Sequence, residues 1–131
     1  MKRLAAFLLL LATAPATAQE QITPDAFIDL VLKRTLSFSS ISTDRLVGVE
    51  EFLRRDLTVW ADESGRCTYG RIELRGPLLC FIYEDAPDPE NCWIPFMDQG
   101  TLLVMANRSR EVQRISDISQ DPVICEDTPS S

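Results

Sequence analysis

The sequence predicts a mainly β, α+β fold, in which one N-terminal helix precedes an antiparallel meander of seven or eight strands. Three observations predict it. Short apolar and β-branched runs recur at a spacing of about 8–12 residues, with turn residues between them. One helix-start signal precedes all of these runs. The length suits one domain. We expect the meander to curl into a small barrel or half-barrel, with the helix closing one end.

Residues 1–18 have the pattern of an export signal peptide. Lys2 and Arg3 give a positive start, Leu4 to Ala12 is an apolar centre, and small residues precede a cleavage site after Ala18. The apolar centre is shorter than the roughly 20 residues that span a bilayer. No later apolar stretch is long enough to do so. We therefore expect an exported chain without a transmembrane segment after cleavage.

Residues 19–125 are predicted to form a single disulfide-linked, β-rich domain, and residues 126–131 a disordered tail. Residues 19–131 carry eleven basic and twenty acidic side chains. This excess of negative charge argues against nucleic acid as a partner. Four cysteines in an exported chain indicate an oxidising compartment, the bacterial periplasm or the exterior.

The first element is a helix that follows a frayed start at residues 19–21. Thr23 is the predicted N-cap, Pro24 occupies the first helical position, and Asp25 complements the helix dipole. We expect the helix to end near Arg34.

The strands are predicted from apolar and β-branched composition between turn signals. Gly70 indicates a bend or a close backbone approach, and Pro95 indicates a strand that ends early or lies at an edge. Within 57–61, alternation places Thr58 and Trp60 on one face and the three apolar residues on the other. The predicted strands are 35–43, 46–53, 57–61, 67–74, 78–83, 92–94, 101–106 and 112–118.

The stretch from Leu78 to Phe96 is expected to form the centre of the core. An apolar strand, Leu78–Tyr83, leads into an acidic loop, Glu84–Asn91, and a second strand opens with Cys92. Two prolines exclude helix from the loop, and four carboxylates keep it in solvent.

The four cysteines are expected to form two disulfides. Cys67 and Cys80 would lie on adjacent strands about four residues out of register, too far apart for a bridge. Cys67 and Cys92 each open a strand at the same end of the sheet. The favoured pairing is therefore Cys67–Cys92 with Cys80–Cys125, and the other pairings stay open. Zinc is disfavoured because the chain has no histidine and no CxxC pair.

Most catalytic arrangements are excluded by composition. Without histidine there is no Ser/His/Asp or Cys/His site, and no glycine-rich phosphate loop is present. Glycoside hydrolysis needs two carboxylates facing each other across a cleft, but sequence neighbours on a strand point to opposite faces. Three carboxylate pairs remain possible, Glu50 with Glu51, Glu84 with Asp85, and Asp88 with Glu90, and the argument weighs against the adjacent pairs among them. We predict no enzyme activity, no cofactor and no metal.

Several sequence blocks resemble an uncharacterised family of small exported proteobacterial proteins. They are VGVEEFL, TVWA, CTYGR, LCFIYED and PENCW, and the likeness covers about residues 23–105. The resemblance implies export, a helix followed by these strands, and paired cysteines. It implies no activity, and Cys125 lies outside the matching blocks.

Three functions remain open at this point. The favoured one is a non-enzymatic binding or interaction module of the cell envelope, whose partner is an envelope protein or a small ligand. The first alternative is an inhibitor of a secreted hydrolase such as lysozyme, and the second is a small carboxylate-based hydrolase. The candidate contact residues are Trp60, Tyr69, Tyr83, Glu84, Asp85 and Trp93.

Overall fold

Residues 19–126, the part of the chain described by the computed structural model, contain one short helix and nine strands. The predicted signal peptide and residues 127–131 lie outside this range. No helix in this part is long and apolar enough to cross a membrane. The elements are β1 (Glu20–Gln21), α1 (Pro24–Val31), β2 (Thr35–Ser40), β3 (Leu46–Arg54), β4 (Leu57–Asp62), β5 (Cys67–Arg75), β6 (Leu78–Tyr83), β7 (Cys92–Asp98), β8 (Thr101–Ala106) and β9 (Val112–Ser119).

Strands β2 to β9 form a closed, antiparallel, eight-stranded barrel. Each strand pairs with the next along the chain, and β9 pairs with β2 to complete the ring. The prediction of a small barrel is therefore confirmed. The predicted frayed start is wrong, because Glu20 and Gln21 form a strand on β7. A strand thus precedes the helix, and the described residues contain nine strands rather than seven or eight.

The seam between β6 and β7 is short. Only Leu79 with Trp93 and Cys80 with Cys92 are paired across it. Pro95 lies two residues after Trp93 on β7, and it has no N–H with which to continue the hydrogen bonding between the two strands. Its carbonyl oxygen instead accepts a hydrogen bond of 3.0 Å from the N–H of Ile22, next to β1. β7 itself continues to Asp98 on β8, so the predicted early end is wrong.

Helix α1 closes one end of the barrel. The hydroxyl of Thr23 accepts a hydrogen bond of 3.2 Å from the N–H of Ala26, which confirms the N-cap. Phe27, Ile28 and Val31 are fully buried in the core. The helix ends at Val31 rather than near Arg34, because Lys33 has a positive φ of 62°.

The two disulfides are Cys80–Cys92 and Cys67–Cys125, so the favoured pairing is wrong. The acidic loop folds back, and β7 therefore begins opposite the middle of β6 rather than beyond its end. This places Cys92 directly opposite Cys80. Cys67 therefore forms its disulfide with Cys125, the cysteine of the C-terminal segment. Cys80 pairs with Glu73, which is six residues along β5 from Cys67 rather than the predicted four. The prediction that Cys67 and Cys80 are too far apart for a bridge is confirmed.

Residues 121–126, here the C-terminal strap, cross the outer face of β2 to β5. Thr35 donates its hydroxyl to the carbonyl of Asp121 at 2.6 Å. The N–H of Val123 donates to Glu51 Oε2 at 3.0 Å, and that of Glu126 to the carbonyl of Gly65 at 2.9 Å. The disulfide from Cys125 fixes the strap to β5. Glu126, the first residue of the tail that was predicted to be disordered, is held by its hydrogen bond to Gly65.

Candidate functional site

The barrel interior contains a cavity of about 240 Å³. It extends from Phe27 of the helix toward the opposite end of the barrel, where the acidic loop leaves β6. Eight of its lining residues are apolar or aromatic, and three are polar. The lining residues are Phe27, Phe38, Val47, Glu50, Trp60, Phe81, Tyr83, Asn91, Trp93, Val104 and Gln113.

Two glycines on the inner face make space for the aromatic walls. The ring of Trp60 lies against Gly48 and would overlap any Cβ there. The ring of Tyr83 lies against Gly70, and a Cβ at Gly70 would come within 2.8 Å of it. The close approach predicted at Gly70 is confirmed. The large rings are accommodated along the barrel wall, which leaves the centre open.

Glu50 is the buried acid of this cavity. It lies on the inner face of β3 with 2% of its surface exposed. Tyr83 donates its hydroxyl to Glu50 Oε1 at 2.8 Å, and the hydroxyl of Thr58 is 2.9 Å from the same oxygen. Burial raises the pKa of Glu50 to about 7, although the bonds from Tyr83 and Thr58 act in the opposite direction. Glu50 therefore changes charge near neutral pH.

Glu50 lines the cavity, and its second carboxyl oxygen, Oε2, has no hydrogen-bond partner among the described residues. Both hydrogen bonds to Glu50 end on Oε1. Every fully sealed side-chain nitrogen or oxygen of the described residues has a partner, so Oε2 is not sealed in the wall. No arginine or lysine lines the cavity, and Glu50 forms no ion pair with any described residue. The oxygen is free to meet a ligand.

A second polar group fixes the wall next to the acidic loop. Asn91 donates its side-chain N–H to the carbonyl of Phe81 at 3.0 Å. Its Oδ1 accepts a hydrogen bond of 2.9 Å from the indole N–H of Trp93. Asn91 therefore orients the Trp93 ring at the cavity wall and joins it to β6.

The structure divides the predicted contact residues into two groups. Trp60, Tyr83 and Trp93 come together around the cavity. Tyr69 lies on the outer face of β5 with 51% of its surface exposed. The remaining two, Glu84 and Asp85, are exposed in the acidic loop.

Glu50 is not among the contact residues predicted from the sequence, where it appears only as the neighbour of Glu51. Glu51 does point to the outer face, where it binds the strap. The available signal was the alternation of Gly48, Glu50 and Phe52, all buried on one face of β3. A carboxyl between a glycine and a phenylalanine on the inner face is unusual enough to mark a site.

The acidic loop, residues 84–91, leaves β6 at the rim of the cavity and folds back toward the middle of that strand. Its four carboxylates form no ion pair with any described residue. Arg75 donates to the carbonyl of Pro89 at 2.6 Å, and Asp88 accepts from the N–H of Glu90 at 2.9 Å. With the disulfide at Cys92, these bonds hold the base of the loop.

Glu50 is the single carboxylate among the residues that line the cavity, whereas carboxylate-based hydrolysis needs two. Within residues 19–126, no group of three or more potential metal-ligating side chains is suitably placed.

Comparisons with protein-family models, curated proteins and solved structures gave no match for this chain. The resemblance to the exported proteobacterial family therefore stays a prediction.

Proposed function

We propose that this protein is a non-enzymatic binding module that takes a small, largely apolar ligand into its barrel. The cavity carries this proposal. Its walls are mostly aromatic, and a few polar groups converge on it, which is the usual composition of a small-molecule site. An apolar cavity of about 150 Å³ is already large enough to bind benzene. A cavity of about 240 Å³ therefore suits a single ring with a short substituent.

The location proposed for the protein is the bacterial periplasm or the exterior. Two disulfides in a chain of this size are typical of an oxidising compartment. The signal-like pattern of residues 1–18 and the family resemblance support the same location.

Binding is tested by NMR titration with 2-phenylethanol, a neutral molecule that matches the cavity in size. The chain has two tryptophans, and both line the cavity, so their indole N–H signals report on its contents. We expect both signals to shift in a saturable manner, while the amide of Gly100, in an exposed turn, stays unchanged. Absence of saturable shifts at millimolar concentration, both with 2-phenylethanol and with its amine analogue 2-phenylethylamine, would contradict the proposal.

Filling the cavity is expected to weaken this binding. Val104→Phe adds a ring to the cavity wall, so the affinity for 2-phenylethanol should fall by about tenfold or more, as expected when a ligand must compete with a side chain for volume. Leu103→Phe is the matched control, because it adds the same ring to the outer face of β8. Equal affinities in the two variants would place the binding site elsewhere.

The acidic loop supports a second candidate function, inhibition of a basic secreted hydrolase. Four exposed carboxylates that form no ion pair with any described residue, on a loop with a fixed base, suit contact with a positively charged cleft. A c-type lysozyme is the test enzyme. If the loop acts as an inhibitor, the wild-type protein slows cell-wall lysis, and the variant Glu84→Gln/Asp85→Asn/Asp88→Asn/Glu90→Gln does not. No effect of the wild-type protein at micromolar concentration would remove this candidate for lysozyme.

A further inference from the structure

We infer that the ligand of the cavity is a small organic cation, an ammonium group carried on an apolar or aromatic body. This inference rests on the proposed binding function and specifies its ligand class. The feature that carries it is the free Oε2 of buried Glu50, set among aromatic rings in a cavity whose lining has no positive charge.

Glu50 lacks the partner that a buried carboxylate normally has. Buried charges in proteins are usually paired, because an unpaired one is costly to remove from water. In this barrel, neutral hydroxyl groups of Tyr83 and Thr58 reach Oε1 alone. The Thr58 hydroxyl has one hydrogen to share between Glu50 and the carbonyl of Glu51, at 2.9 and 2.8 Å. An ammonium group in the cavity would supply the missing counter-charge at Oε2.

The walls suit the rest of such a ligand. Trp60, Tyr83 and Trp93 present aromatic rings to the cavity, and the faces of such rings attract cations. Asn91 and Gln113 add neutral polar groups, but neither contributes a charge that would repel an ammonium group. An anionic ligand would meet both the carboxylate and the negative faces of the rings.

The rim of the barrel adds a long-range attraction of the same sign. Four connections lie at the end away from the helix, namely residues 41–45, 63–66, 84–91 and 107–111. Together they carry seven carboxylates and four guanidinium groups. Some of these charges are already paired: Arg45 with Glu63 at 3.7 Å, Arg66 with Asp62 of β4 at 3.6 Å, and Asp44 with Arg114 of β9. A surplus of negative charge at a mouth raises the local concentration of cations.

The test compares two molecules that share a carbon skeleton, 2-phenylethylamine and 2-phenylethanol. At pH 8, where Glu50 is ionised, we expect the amine to bind on the order of tenfold more tightly, the usual effect of one charge-assisted hydrogen bond. At pH 5 this preference should shrink, since Glu50 becomes neutral while the amine stays charged. Tyr83 is the other titratable group facing Glu50, and burial keeps its pKa well above the usual value, so it stays neutral throughout.

Two variants assign the preference to one side chain. Glu50→Gln should remove the preference for the amine at pH 8. Glu51→Gln, next to it on the outer face, should retain the preference, because its amide oxygen can still accept from Val123. If Glu50→Gln does not fold, the wild-type comparison at pH 5 and pH 8 decides alone.

The outcomes separate this inference from the proposed function. If 2-phenylethanol binds as tightly as the amine at pH 8, the binding function stands and the cation inference is overturned. If neither molecule binds, the binding function fails, and the inference fails with it. If the amine is preferred equally at pH 5 and pH 8, or equally by Glu50→Gln, Glu50 is not its receptor and the inference is wrong.

Discussion

The free energy of unfolding is expected to fall by about 2–3 kcal/mol as the pH rises from 5 to 8, because of Glu50. Its pKa is about 7 in the folded barrel, against an ordinary value of 4.5. Between these two values the folded state holds a proton that the unfolded state has released. The stabilisation that Glu50 contributes is therefore fully present at or below the lower value and is lost as the pH rises through the higher one.

The composition of the chain isolates this effect. There is no histidine, so no other side chain with an ordinary pKa titrates between pH 5 and pH 8. Hydrogen bonds from Ser64 and from Arg75, respectively, lower the pKa values of Asp62 and Glu73, so both groups are already ionised in this range. The pKa of Tyr83 is raised, and its titration lies above the range.

Urea unfolding at pH 5 and pH 8 measures the effect directly. Glu50→Gln is expected to show little change between the two conditions and to exceed the wild type in stability at pH 8. Glu51→Gln, on the outer face, should follow the wild type. A wild-type stability that does not vary with pH would show that Glu50 titrates normally and that burial does not control it.

Removing the disulfide of the C-terminal strap is expected to have the largest effect of all on stability. Cys67 and Cys125 are 58 residues apart. A cross-link that closes a loop of this length lowers the entropy of the unfolded chain, which stabilises the folded state by about 4 kcal/mol. The double variant Cys67→Ser/Cys125→Ser should lose about this much stability. The amide protons of Val123 and Glu126, which hold the strap to Glu51 and Gly65, should also lose protection from hydrogen exchange.

The second disulfide provides the matched comparison. Cys80→Ser/Cys92→Ser opens a loop of 12 residues, for which the same relation gives about 3 kcal/mol. In that variant the strap amides should stay protected. If both double variants release the strap amides equally, the strap is held by the barrel as a whole and not by its own disulfide.

Local signals in the sequence were sufficient for most of the elements. The cap at Thr23, the turn residues and the apolar runs predicted the start of the helix and the eight barrel strands, two of them with the observed bounds. These signals depend on neighbours within a few residues, and so they can be recognised without knowledge of the fold.

Long-range features could not be recognised in this way. In β4, the apolar residues Val59 and Ala61 are on the outer face, whereas Thr58 and Trp60 face the interior. Val59 and Ala61 are nevertheless buried, because the C-terminal strap covers them. The strap is held there by their cross-strand neighbours, Glu51 through a hydrogen bond and Cys67 through its disulfide.

The disulfide pairing could not be predicted from local sequence either. It depends on the path of the acidic loop, which starts β7 opposite the middle of β6. The Glu50 site likewise exists only once β3, β4 and β6 are paired, because its hydrogen-bond partners come from the neighbouring strands. No local pattern contains these relations.

Closure of the ring by β2 and β9 has a consequence for how the chain reaches its folded state. The residues paired there, such as Leu36 with Ile118, are separated by most of the barrel sequence. Contacts of such high sequence separation slow folding. A chain that emerges from a pore with its N-terminus first leaves the edge of β2 open until nearly the last residue has appeared.

An open strand edge of this kind invites pairing with a second chain. β2 has the sequence TLSFSS, in which serines alternate with the two large apolar residues. Before β9 pairs with it, the edge of β2 therefore exposes little of the hydrophobic surface that stabilises pairing between chains. On this view, the serines of β2 have a role in the interval before β9 arrives, in addition to the hydrogen bond that Ser39 forms with Ser116 in the finished barrel.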